Sequence, residues 1–144
     1  MTESVHERTP FARENSQGQR SRNASRVRQA YKDRIPVIMA PHPDYATTRR
    51  DDDREPPWAM PFTRNKFIAP NEQTFGRFVA MVRLHYANVT SPIDAILFCV
   101  WSRKRGWIVP PMNMLMSRLD DEFRSPDDGL LYVYYCEENV FGER

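Results

Sequence analysis

The side chains that usually carry enzymatic chemistry are few here and scattered. The three histidines, His6, His42 and His85, fall in a polar N-terminal stretch, a loop and a helix end. No spacing pairs any of them with a nucleophile, an orienting acid or a second metal ligand. Asp51-Asp52-Asp53 has the composition of a cation site, but arginines flank it on both sides and neutralise it, as in a solvated loop. With five glycines in 144 residues there is no glycine-rich phosphate loop. Cys99 and Cys136 each sit in an apolar, strand-like run. One disulfide between them is compatible with the sequence, but two reduced, half-buried thiols in a cytosolic protein is the preferred reading. The residues therefore indicate no enzyme, no metal site and no cofactor.

The elements that could position a binding surface are better marked. A chain of 144 residues is about one compact domain and can bury a core without staples. Its formal charge is +2, from 21 basic and 19 acidic side chains, and bulk binding to nucleic acid or anionic lipid wants a larger basic excess. The start, MTESVHERTPFARENSQ, lacks a signal-peptide apolar stretch, and no run approaches the ~20 apolar residues of a membrane span. A soluble chain is expected, with any membrane association coming from a modification or a partner.

Residues 1–20 are polar apart from Pro10-Phe11 and are expected to form a mobile arm, with at most one helical turn after Pro10. Residues 21–32 favour helix, with Val27 and Tyr31 on one face. Arg20, Arg22, Arg26 and Arg28 make this region basic, and a solvated helix face accounts for that as well as a binding role does. Residues 34–39 read as a strand whose Pro36 needs an edge, or a position where an N–H would point away from the ladder. Residues 41–61, rich in proline and mixed charge, read as a long surface loop. A short strand over 66–70 follows, then a helix from the N-cap Thr74 to Tyr86 carrying Phe75, Phe78, Val79 and Val82. Ser91-Pro92 starts another turn. Residues 95–101 form a near-continuous apolar run, hence a strand covered on both faces. A basic turn at 102–106, a short strand at 107–109, a helical stripe of Met112, Met116, Leu119 and Phe123, a turn at 126–129 and a last strand over 130–136 complete the order. One long helix across a mixed sheet makes a two-layer α+β domain with the β-grasp, ubiquitin-like order and extra helix in front.

Several stretches resemble the autophagy-related ubiquitin-like modifiers of the GABARAP and light-chain-3 family. They are Tyr31-Lys32-Asp33-Arg34-Ile35-Pro36-Val37-Ile38, Lys66-Phe67-Ile68-Ala69-Pro70 and Thr74-Phe75-Gly76-Arg77-Phe78. Val109-Pro110-Pro111 leading to Leu115-Met116 follows, then Asp128-Gly129-Leu130-Leu131-Tyr132-Val133-Tyr134 with Glu138-Asn139-Val140-Phe141-Gly142. They keep their order over residues 26–142. The resemblance implies a ubiquitin-like domain over 21–142 and a cleavable tail, Glu143-Arg144. It implies a cysteine protease that cuts after Phe141-Gly142. Activating and carrier enzymes would then pass the glycine carboxylate to phosphatidylethanolamine. Glycine suits such an ending because it has no Cβ and can thread a narrow channel. The amide to a lipid amine would turn a soluble protein into an anchored one, moving it from cytoplasm to autophagosome membrane and finally to vacuole or lysosome.

The resemblance also implies a docking surface for cargo receptors that present an aromatic residue followed two places later by an aliphatic one. Their peptide would add as a strand along Lys66 to Ala69. The aromatic pocket would comprise Val27, Pro36, Lys66, Ile68 and Leu130, and the aliphatic pocket Phe67, Ala69, Pro70, Phe78, Met81 and Val82. Arg34 and Arg64 would attract acidic residues flanking the motif. The apolar names suit plain core packing as well, and Lys66 suits a solvated lysine. Three features depart from the family: Gln73 stands in place of an aliphatic pocket residue, Leu84-His85 stand where a basic residue is common, and the 41–61 and 102–106 segments are long.

Three other readings share the residues. A docking module that has lost conjugation would keep its tail uncut. A protein-targeted modifier would differ in its acceptor. Nucleic-acid binding through Arg20 to Arg34 would weaken steeply with salt and is disfavoured, so no nucleic-acid partner is expected.

Overall fold

The computed structural model describes residues 4–43, 65–85 and 96–137. The 41–61 loop from residue 44 on, Arg64, Ser91-Pro92, Phe141-Gly142 and the Glu143-Arg144 tail lie outside the described residues.

Five strands form one mixed sheet: β1 (Arg34–Pro41), β2 (Lys66–Pro70), β3 (Ile96–Ser102), β4 (Gly106–Ile108) and β5 (Leu131–Glu137), in the order β2-β1-β5-β3-β4. β1 and β5 run parallel, with Val37 opposite Leu131, and the other neighbouring strands are antiparallel. Pro36 fits this arrangement for a local reason. Met39 donates its N–H to Asn65 O and Asn71 donates to Asp33 O, which puts the odd positions of β1 in hydrogen-bonded pairs with β2. Pro36, opposite Ile68, is an even position, and the β5 ladder begins only at Val37. The missing N–H falls where neither neighbour needs it.

Helix α3 (Phe75–His85) and helix α4 (Met116–Phe123) cover one face of the sheet. Thr74 caps α3 through its Oγ1, which accepts from Arg77 N–H at 3.2 Å. Phe75, Phe78, Val79 and Val82 meet Ile35, Val37, Met39, Val100, Leu131 and Val133 in the main core. Each such fully buried side chain contributes roughly 1.5–3 kcal/mol against exposure. Gly76 sits where its N–H reaches Met112 O at 2.8 Å, and a Cβ there would lie 3.0 Å from that oxygen, so the approach excludes larger residues. The 112–123 stripe is shorter than expected: Met112 lies before α4 and is exposed, because the helix begins only after the turn that follows Pro110-Pro111.

The two-layer expectation needs correction. A 3-10 turn (Val5–Arg8), helix α1 (Pro10–Glu14) and helix α2 (Gln17–Ala30) cover the second face. Residues 4–20 are thus packed helix rather than a mobile arm, with Phe11 3% and Ala12 9% exposed. Phe11 and Ala24 sit against Ile38, Ala40, Cys99, Leu130, Tyr132 and Tyr134. Local signals support these helices. Thr9 accepts from Ala12 N–H ahead of Pro10, and Ser16 and Gln19 form a reciprocal capping box. The two cysteines are free and buried. No helix of the described residues is long and apolar enough to cross a membrane.

Candidate functional site

β2 is an outer strand of the sheet, and its side chains alternate strictly. Phe67 and Ala69 are buried, while Lys66, Ile68 and Pro70 are exposed. The odd residues also spend their backbone groups on β1, so the backbone of Ile68 points away from β1. Ile68 therefore offers side chain and main chain together at the outer edge, which is the arrangement an added strand requires.

Beside that edge lies a cleft of about 240 Å³. Val27 of α2, Pro36 of β1, Lys66 and Ile68 of β2, and Leu130 before β5 all line it, so all five residues expected for the aromatic pocket share one cavity. The lining includes residues that sequence reasoning missed, Phe11 from α1, Asn23 and Arg26 from α2 and Val37 and Ile38 from the sheet, and also Phe67, which was expected in the aliphatic pocket. Lys66 Nζ lies 5.6 Å from the centre of the Phe11 ring, so the lysine is held over an aromatic wall rather than simply solvated.

The residues named for the aliphatic pocket are placed differently. Phe67, Ala69, Phe78 and Val82 are buried in the main core, with Phe67 and Phe78 edge to face at 5.9 Å. Met81 packs against that core partly buried, and Pro70 is exposed at the end of β2. Gln73 is partly buried, and its Oε1 finds no hydrogen-bond partner among the described residues. Arg34 is exposed and lies with Lys32 and Asn71 at the far end of β2, opposite Pro70 in the ladder.

The cleft is positioned by a buried ionic clasp. Arg20 is 1% exposed and donates from all three guanidinium nitrogens. It donates to Asp128 Oδ2 at 3.0 Å, Glu7 Oε2 at 2.6 Å, Ala12 O at 3.1 Å and Asn15 O at 2.8 Å. Asp128 also accepts from Tyr132 OH at 2.6 Å and from Leu130 N–H at 3.0 Å. Burial, with the Asp128 carboxylate next, pushes the Tyr132 phenol well above its ordinary range. One arginine thus ties the 3-10 turn, α1 and the loop that presents Leu130. Arg28 plays a second tying role. It grips Asp120 of α4 with two bonds of 2.9 Å and reaches, at 2.8 Å, the carbonyl oxygen of Gly129, whose φ of +79° only a glycine adopts cheaply. Arg20 and Arg28 are therefore tied into the fold, which corrects the solvated-face account for these two; Arg22 and Arg26 are exposed.

Comparison with known proteins agrees with this architecture. The family model described as autophagy protein Atg8, ubiquitin-like, matches residues 19–142. Autophagy-related protein 8 of Cochliobolus heterostrophus is 33% identical over 138 residues, covering 94% of this chain and 98% of the relative. The protein of the same name from Coccidioides immitis is 34% identical over 137 residues, with the same coverage. Among solved structures, Trypanosoma brucei ATG8 superposes with a TM-score of 0.63 at 22% identity, over 90% of this chain and 95% of that one. Plasmodium falciparum Atg8, solved in complex with a Plasmodium falciparum Atg3 peptide, superposes with a TM-score of 0.62 at 22% identity, over 88% and 94%.

Proposed function

The chain belongs to the Atg8 family of ubiquitin-like autophagy proteins, and on that premise we propose that it is a modifier, processed after Gly142 and joined through that glycine to phosphatidylethanolamine. The observation that carries this reading is the family match itself, which runs to residue 142 and so takes in Phe141-Gly142. In this reading the chain is carried by enzymes rather than being one. A cysteine protease removes Glu143-Arg144, and activating and carrier enzymes transfer the carboxylate. The protein then passes from cytoplasm to autophagosome membrane, where it supports membrane expansion and gathers cargo receptors, and ends in the vacuole or lysosome. That a Plasmodium relative was solved with an Atg3 peptide supports a conjugation-pathway partner for this chain too.

The docking half of the proposal uses β2 and its cleft. A receptor segment pairs along Lys66 to Ala69, its aromatic residue enters between Val27, Pro36, Ile68 and Leu130, and its aliphatic residue lies over Pro70 and Met81. Phe67, Ala69, Phe78 and Val82 support that second contact from the core beneath. Arg34, and Arg64, which precedes β2 in the sequence, draw acidic flanking residues.

The test is the intact mass of the protein recovered from its own cytosol, beside a Gly142→Ala variant. Loss of Glu143-Arg144 in the parent chain only, followed by a phosphatidylethanolamine-sized addition in the membrane fraction, is the expected result. An uncut chain with no membrane pool under starvation would overturn conjugation and leave a docking module. A protein-sized addition would reassign the acceptor.

A further inference from the structure

The N-terminal 3-10 turn is pinned to the sheet by a histidine. His6 is 4% exposed and lies in an aromatic nest. Its ring stacks on Tyr132 at 4.4 Å and 12°, is nearly parallel to Tyr134 at 5.8 Å, and meets Trp101 edge-on at 5.6 Å. Its Nδ1 shares a hydrogen bond with the Tyr134 hydroxyl. This polar ring is the deepest residue of a turn otherwise held by Val5 and by the helix that follows.

We propose that His6 makes the N-terminal segment 4–14 an acid-released clasp, docked on the outer sheet face at neutral pH and let go when the imidazole takes a proton.

The surroundings offer an imidazolium little. On its own turn stand Glu7 and Arg8, on α2 Arg20, in the loop before β5 Asp127 and Asp128. On the strands stand Tyr132, Tyr134 and Trp101, with His42 stacked on Trp107 beyond Tyr134. Asp128 is engaged by Arg20, Tyr132 and Leu130, and Glu7 by Arg20. Asp127 is exposed. A second positive charge would therefore be added beside buried Arg20 without a carboxylate of its own.

Burial is the largest influence on the ring and lowers its pKa to about 4; Asp128 and Asp127 pull it up, and Arg20 pulls it further down. The sign follows directly. The docked form binds its proton less readily than the released form, whose histidine has the ordinary 6.5, so docking is complete above that value and is lost as pH falls toward 4. The docked-to-released ratio drops about 20-fold from pH 7 to pH 5 and about 5-fold more by pH 4. Phe11 of the same segment is a wall of the cleft, so release also strips that wall. The clasp does not depend on whether Gly142 is ever processed.

The test is a nuclear magnetic resonance titration of the full chain, reading the His6 ring and the exchange protection of the α1 amides that Thr9 accepts from, corrected for intrinsic exchange. A ring midpoint near 4, and protection of the Ala12 and Arg13 amides that falls about 20-fold from pH 7 to pH 5 while β1 amides hold, are expected. A midpoint near 6.5, or protection that does not change, would overturn the proposal. His6→Phe keeps the stack but cannot titrate, so it must retain its protection at pH 5. If that variant releases the segment even at pH 7, His6→Gln, which can still meet Tyr134, takes its place. Acid release in the variant that stays docked would show that another group is responsible.

Discussion

Replacing Arg20 with methionine removes a side chain that ties three N-terminal segments to the loop before β5. The Arg20–Asp128 side chains are each 2% exposed, and Asp128 would keep only Tyr132 OH and Leu130 N–H as donors. Breaking a buried pair from one side costs about 3–5 kcal/mol, because the remaining charge stays buried without its partner. That is a large part of the ~5–15 kcal/mol that holds a domain together. With a urea dependence of about 2 kcal/mol per molar, the midpoint should fall by roughly 1.5–2.5 M. Urea unfolding followed by tryptophan fluorescence and far-ultraviolet dichroism measures it. Arg20→Met with Asp128→Asn should recover part of the loss, since the orphaned charge is gone. Arg118→Ala, which breaks a pair whose arginine is 74% exposed, should leave the midpoint in place. A loss below about 1 kcal/mol for Arg20→Met, or strict additivity in the double variant, would refute the clasp as an energetic link.

Two further outcomes are expected. Ile68→Ala removes an outward side chain at the cleft, 38% exposed, so affinity for an aromatic-x-x-aliphatic peptide should fall about 5–10-fold by fluorescence anisotropy with little change in thermal midpoint; unchanged affinity would place the peptide elsewhere. Cys99 is buried, and its hydrogen bond with Cys136 and its burial push the thiol far above the ordinary range. A thiol reagent at pH 8 should therefore label neither cysteine until the chain is unfolded, and fast labelling of either one in the native protein would contradict the packing.

Much of the sheet was legible because its signals are local. The apolar runs at 34–39, 66–70, 95–101 and 130–136 fall within a residue or two of β1, β2, β3 and β5, and Thr74 caps α3 as its sequence suggests. The stripe from Met112 misled because a three-to-four spacing continues across the turn before α4, and periodicity does not see where a helix starts. The aromatic-pocket residues came from the family resemblance, and the fold brings all five to one cleft. Asn23, Arg26 and Phe11 were missed because they reach it from helices that meet the sheet only through tertiary contacts, Arg20 with Asp128 among them. No sequence rule pairs residues 108 positions apart.

The packed N-terminus, by contrast, follows from a pattern already present in β5. Leu131, Val133 and Tyr135 face one core, while Leu130, Tyr132 and Tyr134 turn the other way, and all six are buried. A strand that is apolar on both sides needs a layer on each. With α3 and α4 committed to the first face, the helices before β1 are the described elements left to cover the second. Charge and polarity along residues 4–20 argue for an arm only while each side chain is considered alone. Once Arg20 has Asp128 and Glu7, and His6 has Tyr134, those same polar groups become the means by which the layer is attached. Attachment through polar groups is also what makes the layer sensitive to acid. An apolar contact in place of His6 would hold the segment, and with it the Phe11 wall of the cleft, alike at pH 7 and pH 5.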